Sequence, residues 1–414
     1  MSVALTAVKQ EERVQPTLKR ATYRIDAIDL LRGLVMIIMA LDHTRDFFHI
    51  TAWTDDPLNL QTTTPALFFT RWITHFCAPV FVFLAGTSAY FQSLRKTKKE
   101  LSGFLLKRGL WLIFIEIALI NFAFSFDIHF GLIALQVIWA IGISMVLLAL
   151  AIWMPFSAIL IVGLLIVLGH NSLDFFEAQH TGSYSMAYAL LHRQNFYPLG
   201  GGHNLMVMYP FLSWTGLMMT GYCFGKLFTR YEGVQRRNIL TLLGFGIILF
   251  FIALRAINLY GNPEPWRLQK NPLYTVLSFI DTHKYPPSLL YMCMTIGPAI
   301  LFLAWWGNVK NGLTRIITVY GRVPFLYYVL HFFLIHFLCG IFFLLRGHSL
   351  TQGINTAPAG NMPFDLPKFI VPGEGYPLWA VYLLWFFVVA VLYPVCKWFS
   401  EYKQTHRQWW LSYL

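Results

Sequence analysis

From residue 25 onward the chain is a succession of apolar runs, broken alternately by short basic segments and long aromatic ones. About ten runs approach the ~20 residues that an α-helix needs to cross a bilayer. They fall at roughly 30–49, 76–94, 104–124, 131–152, 155–169, 205–227, 238–259, 286–306, 321–345 and 376–397. None alternates in and out over roughly ten residues, as a membrane β-barrel strand does. The pattern predicts an all-α polytopic transmembrane bundle of about ten spans over residues 25–398, with polar tails at 1–24 and 399–414. The first run is full-length and follows a polar stretch, so it is expected to stay as a span rather than be cleaved as a signal peptide.

Composition agrees: 57% of the 414 residues are hydrophobic and 12% charged, against about 25% charged in soluble domains. Mean hydropathy is +0.56. Of the 31 Lys and Arg, 21 fall in the tails and in alternate loops, nine fall on the other side, and Arg32 lies within a run. Basic residues stay on the cytoplasmic side, so both termini are expected there. The net charge of +12 is then a topology signal and an attraction to anionic lipid. No nucleic-acid motif accompanies it. Cys77, Cys223, Cys293, Cys339 and Cys396 are scattered through the runs without CxxC spacing and read as packing residues. The segments 50–75, 170–204, 260–285 and 346–375, all on the face opposite the basic loops, are long and rich in aromatics, Gly, Pro and His. Long loops on one face tend to carry function.

The first run is the most unusual, reading DLLRGLVMIIMALDHTRDFFH from Asp29 to His49. At 100° per residue, Arg32 and His43 share a helix face about 16 Å apart. Asp29 precedes Arg32 by three residues and Asp46 follows His43 by three, so all four line one stripe with Met36, Met39 and Ala40 between them. Ionisable groups in a bilayer cost at least ~2.5–3.5 kcal/mol each, so they face the bundle interior and mark a functional path. A His is the usual general base near neutral pH, and a carboxylate on its second nitrogen fixes its tautomer. Asp46 is the better placed orienter for His43; Asp42, a quarter-turn away, is positioned for a different His.

The spacing Arg32-GLVMIIMALD-His43 is similar to the Arg–ten residues–His signature of the transmembrane acyltransferases. Further stretches resemble the bacterial branch of the heparan-alpha-glucosaminide N-acetyltransferase-like family. They are FFTRWITHFCAPVFVFLAGTSAY (68–90), KRGLWLIFIE (107–116), YPFLSWTGLMMTGYCFG (209–225), KYPPSLLY (284–291) and GRVPFLYYVLHFFLIH (321–336). The resemblance implies a multi-pass enzyme of the bacterial cytoplasmic membrane. It would take an acyl group, acetyl by analogy, from cytoplasmic acyl-CoA and pass it to an extracytoplasmic amino sugar or glycan. The lysosomal member has Asn where His43 stands and its proposed acyl-accepting His further along, where His49 is the nearest match. Catalysis is therefore expected from His43 or His49, with Asp46 and Asp42 in support. His43 is favoured because it also completes the signature. A ternary route, with His as base, and a ping-pong route through an acyl-imidazole both fit.

Substrate-binding candidates are Arg32, Arg45, His75, Lys284, Tyr285, Glu116 and His331. Glu116, near mid-span, needs a partner, and a structural pair with Arg108 or Arg32 competes with a catalytic role. For the CoA phosphates the candidates are Arg32, Lys107, Arg108 and Arg322, since Arg and Lys bind phosphate by charge-assisted hydrogen bonds. His331 and His336 are 140° apart around a helix and cannot ligate one metal as an i,i+4 pair, so no metal is expected. Expected partners are lipid, acyl-CoA, the glycan acceptor and, in a homodimer, a second copy. The alternative function is export of a small anionic or glycan substrate, which buried charges also suit. The lack of an internal repeat weighs against it.

Overall fold

A computed structural model describes residues 26–307, 309–351, 366–406 and 408–412. The tail expected at 1–24 lies outside them. Helices α1 (Asp26–Phe48), α2 (Pro65–Thr74), α3 (Cys77–Ser93) and α4 (Lys98–Ile115) lead into a π-helical turn, Glu116–Ile120, and α5 (Asn121–Ser125). Strand β1 (Leu132–Leu135) precedes α6 (Val137–Ala151), α7 (Phe156–Gly169), α8 (Ser172–Gln179) and α9 (Met186–Leu191). Strands β2 (Asn195–Gly200) and β3 (His203–Val207) form a hairpin. After it come α10 (Phe211–Phe224), α11 (Lys226–Arg230), α12 (Gly233–Ile257), α13 (Pro272–Ile280) and α14 (Leu289–Trp305). The chain ends in α15 (Gly312–Arg322), α16 (Pro324–Leu345) and α17 (Leu378–Thr405), which carries the last expected span on into the region read as a tail.

The protein is mostly helical, and every expected run contains a helix. The number of spans is a different matter. By length and composition four stretches of the described residues suffice to cross a bilayer: 65–93, α12, α16 and α17. A fifth is added if α7 and α8, bent by 40°, act as one. Others of the expected ten are shorter, as α6 and α14 are, or carry several charges, as α1 does. Two runs, 131–152 and 205–227, each open on a strand, because a short apolar run does not by itself separate strand from helix.

Helix α1 lies at the centre, packed against α2, α3, α14, α15, α16 and α17. Its crossing with α15 is backbone to backbone. A Cβ on Gly33 would sit 1.9 Å from the Ile317 carbonyl oxygen, and one on Gly321 would sit 1.8 Å from that of Asp29. Small residues permit such approach between membrane helices. Helices α3 and α10 cross in the same way at Gly86 and Gly221, with Thr87 Oγ1 donating to the Gly221 carbonyl at 3.0 Å. This fixes the end of α1 that bears Arg32 against α15, and leaves the end that bears His43 to meet α2, α16 and the loops.

The small sheet has the order β1-β3-β2, with β1 parallel and β2 antiparallel to β3. Gly200, Gly201 and Gly202 turn the hairpin with φ of +84°, +62° and +85°, angles that glycine adopts without steric cost. Because β1 and β3 run parallel, their C-terminal ends lie together. One delivers Gln136 and Val137, the other Met208 and Tyr209, to the same cavity.

Candidate active site

At the His43 end of α1 a cavity of about 770 Å³ opens among α1, α2, α3, α5, α16, the start of α6 and the segments after α1, after β1, after β3 and before α14. Its charged lining comes from Asp42, His43, Arg45, Asp46, Arg71 and Lys284, with Asp55 and Asp56 in the loop after α1. Trp53, Tyr209, Tyr285, Tyr328 and Gln136 complete its polar and aromatic walls. Such a site, concave and mostly apolar with a few converging polar groups, is what small-ligand recognition requires.

Asp42 is the electrostatic hub. Its carboxylate bonds the Arg71 guanidinium directly, lies 3.2 Å from Arg45 Nη2 and 4.0 Å from Lys284 Nζ. The sequence reading kept Asp42 for a His; it holds three cations from α1, α2 and the loop before α14. Asp46 is bonded by Arg45 at 2.6 Å. Its other oxygen faces His43 Nδ1 at 3.8 Å, nearer than any other carboxylate but beyond hydrogen-bond reach. His43 Nδ1 is buried without a hydrogen-bond partner among the described residues. The ring packs on Phe332, 4.3 Å between centroids, and near His331 at 5.2 Å. His43 thus sits on an apolar shelf of α16 and faces a charged cluster.

The loop after α1 is pinned over this end. Trp53 adopts φ +65° and its indole N–H donates to the Asp46 carbonyl at 2.8 Å. A non-glycine residue holds that conformation only where its surroundings determine it.

The other candidates separate. His49 is outside the cavity. Its Nδ1 contacts Thr51 Oγ1 at 2.9 Å and the Thr51 N–H at 3.3 Å, and its backbone bridges to Tyr376. His75, at the break between α2 and α3, is 1% exposed and edge-on to Tyr291, whose hydroxyl donates to its carbonyl at 2.8 Å; it does not line the cavity. His331 lies one layer behind His43, its Nδ1 3.2 Å from the Tyr327 carbonyl. His336 contacts the carbonyls of Ala123 and Lys368 at 3.0 and 2.9 Å, a staple between segments.

Glu116 pairs with neither Arg108 nor Arg32. Fully buried at the start of the π-turn, its Oε2 accepts the Trp139 N–H at 2.9 Å and so caps α6. Arg32 joins three helices. It bonds Asp29 at 3.2 Å, Ser88 Oγ at 2.8 Å and the Gly321 carbonyl at 3.4 Å. Arg322 is the last residue of α15, next to Gly321 in the chain, while Lys107 and Arg108 sit on α4, which packs on α6.

The model of the heparan-alpha-glucosaminide N-acetyltransferase catalytic domain matches residues 24–260, more than half of the chain. The chain belongs to that family. The search of curated proteins found no match. Within this acetyltransferase family the matched stretch carries α1, Arg71, Gln136 and Tyr209, while Lys284, Tyr285 and Tyr328 reach the cavity from beyond it. Arg71, Trp53, Gln136, Tyr209 and Tyr328 were missed as site residues in the sequence. For Arg71 a signal existed: an Arg inside an apolar stretch faces the interior and is functional by default.

A separate grouping could be taken for a metal site. Asp174, Glu177 and His192 place ligand atoms within 4.8 Å of one another. Glu177 is already engaged by His192 at 2.9 Å, Arg193 at 2.8 Å and Tyr188 at 3.1 Å, so its charge is balanced by protein groups.

Proposed function

We propose that the protein is a membrane acyltransferase. It moves an acyl group, acetyl in the first instance, from cytoplasmic acyl-CoA to an amino sugar or glycan on the far side of a bacterial inner membrane. Both termini lie in the cytoplasm on this reading. The observation that carries it is the cavity in which His43, on its apolar shelf, faces the Asp42–Arg45–Arg71–Lys284 cluster. Membership of the family makes acyl transfer the reaction class.

His43 takes the proton from the attacking amine or hydroxyl, or carries the acyl group itself as an acyl-imidazole. Either route passes through a tetrahedral intermediate with negative charge on the former carbonyl oxygen. Beside His43 the cations Arg45, Arg71 and Lys284 are gathered on Asp42 and Asp46, with Asp55 and Asp56 elsewhere on the wall, and these fixed cations are the groups that stabilise that oxyanion. Because the cations are already fixed by Asp42, they need little reorganisation as charge develops.

The test is direct. Purified protein in detergent, given acetyl-CoA and glucosamine, should release free thiol at a rate that depends on the sugar and yields the acetylated sugar. Sugar-independent release with no acetylated sugar would leave a hydrolase. No release under any acceptor would overturn the reading.

A further inference from the structure

Gln136 is 6% exposed and lines the cavity, yet its Nε2 has no hydrogen-bond partner among the described residues. Buried polar groups are almost always partnered, and an orphaned one carries the desolvation cost of a lost hydrogen bond. The surrounding structure explains how this residue came to be left over. Gln136 is the N-cap of α6, where a polar side chain ordinarily accepts the N–H of the second or third helical residue. Here the third residue is Trp139, and its N–H goes to Glu116 from another helix. The cap is filled from outside, so Gln136 Oε1 is not drawn onto the helix end, and the Nε2 donor, which could not have capped the helix, is left without a protein partner in the cavity wall.

The junction that carries it is also clamped. Asn121 accepts the Ala134 N–H at 2.6 Å and donates to the carbonyls of Ala134 at 3.1 Å and Glu116 at 2.7 Å. Thus Asn121 ties the π-turn to β1, and the Glu116 side chain ties the π-turn to the start of α6. β1 is further tied to β3, which brings in Tyr209 from the side. A glutamine held this firmly, with its own capping role given away, is organised for a ligand.

We propose that Gln136 is a substrate-binding residue that holds a hydroxyl of the sugar acceptor, with Glu116 and Asn121 as positioning residues. The inference rests on the acyltransferase reading for the identity of the acceptor. A carboxamide offers a donor and an acceptor together, and so does a sugar hydroxyl; neither is charged, so the match needs no counter-ion. The cations and carboxylates of the cluster beside His43 are then left to the reacting group.

The discriminating variant is Gln136→Leu, which removes the orphaned donor at similar volume. KM for glucosamine should rise about tenfold, with kcat and KM for acetyl-CoA little changed, and with a melting temperature equal to or above that of the wild type. A structural role predicts the reverse: a lower melting temperature and an unchanged KM. That result, or a rise confined to acetyl-CoA, overturns the assignment. If the wild type proves to transfer nothing, the acyltransferase reading fails by itself and the same variant is judged by binding. Glucosamine should then raise the melting temperature of the wild type and not of Gln136→Leu. An equal shift in both, or none in the wild type, overturns the inference. Glu116→Gln, which can still accept the Trp139 N–H, should keep KM within a few-fold of wild type, whereas Glu116→Leu should raise it.

Discussion

Two side chains, Arg32 and Asp281, can be tested by stability alone. Arg32 was expected to hold donor phosphate, but it bonds Asp29, Ser88 and the Gly321 carbonyl at the crossing of α1, α3 and α15. Hydrogen bonds from charged groups contribute roughly 1.5–3 kcal/mol. Arg32→Ala should therefore lower the melting temperature by several degrees; an unchanged melt with a raised KM for acyl-CoA would return Arg32 to the donor. In the loop after α13, burial, with repulsion from Asp56 and Glu264 against the pull of Arg255, pushes the Asp281 carboxyl from 3.8 up to about 7. A raised carboxyl favours the fold while protonated, and that stability is lost as pH climbs from 3.8 through about 7. Asp281→Asn should accordingly raise the melting temperature at pH 8 and make no difference at pH 4, as a pH series of thermal melts would show. The sequence made His43 and Asp46 legible because helical spacing puts them on one charged stripe, with Asp42 a quarter-turn away. It did not expose Gln136, since a lone Gln in LIALQVIWA falls inside the run 131–152, read as one span, and only the break between β1 and α6 brings it to the cavity.

The elements were legible as apolar runs, and their contacts were not. Nothing in the run 312–322, short and half polar, announces that α15 packs backbone to backbone on α1. Strands β1 and β3 were hidden in apolar runs read as spans, because periodicity over four or five residues does not distinguish strand from helix. The α1–α15 contact gives a paired prediction. Gly33→Ala places a methyl 1.9 Å from the Ile317 carbonyl oxygen, so it should force the helices apart and sharply reduce yield and melting temperature. Gly246→Ala, in α12, meets nothing within 4 Å and should be neutral or stabilising by up to ~1 kcal/mol, the helix propensity difference. Equal behaviour of the two in a thermal melt would mean that the close crossing does not hold the bundle together.

For the molecule as a whole, the sequence conveyed a helical membrane protein of the acetyltransferase family, and overcounted what helix length alone marks as spans. Apolar composition does not separate a full crossing from a short buried helix. On the proposed topology the charge asymmetry puts the His43 cavity on the side away from the cytoplasm. Cysteines introduced at 54–56 should react with an impermeant thiol reagent added outside intact cells, and those at 95–100 only after lysis; the opposite pattern would reverse the direction of transfer. The central claim is that His43, rather than His49, does the chemistry in that cavity. Its most direct test is kcat for acetyl transfer in His43→Gln and His49→Gln, each compared with wild type at matched melting temperature. Loss of general base catalysis costs roughly 10²–10⁴-fold, so His43→Gln should fall by that factor while His49→Gln stays within a few-fold. Near-normal turnover in His43→Gln, with the loss appearing in His49→Gln, would contradict the account.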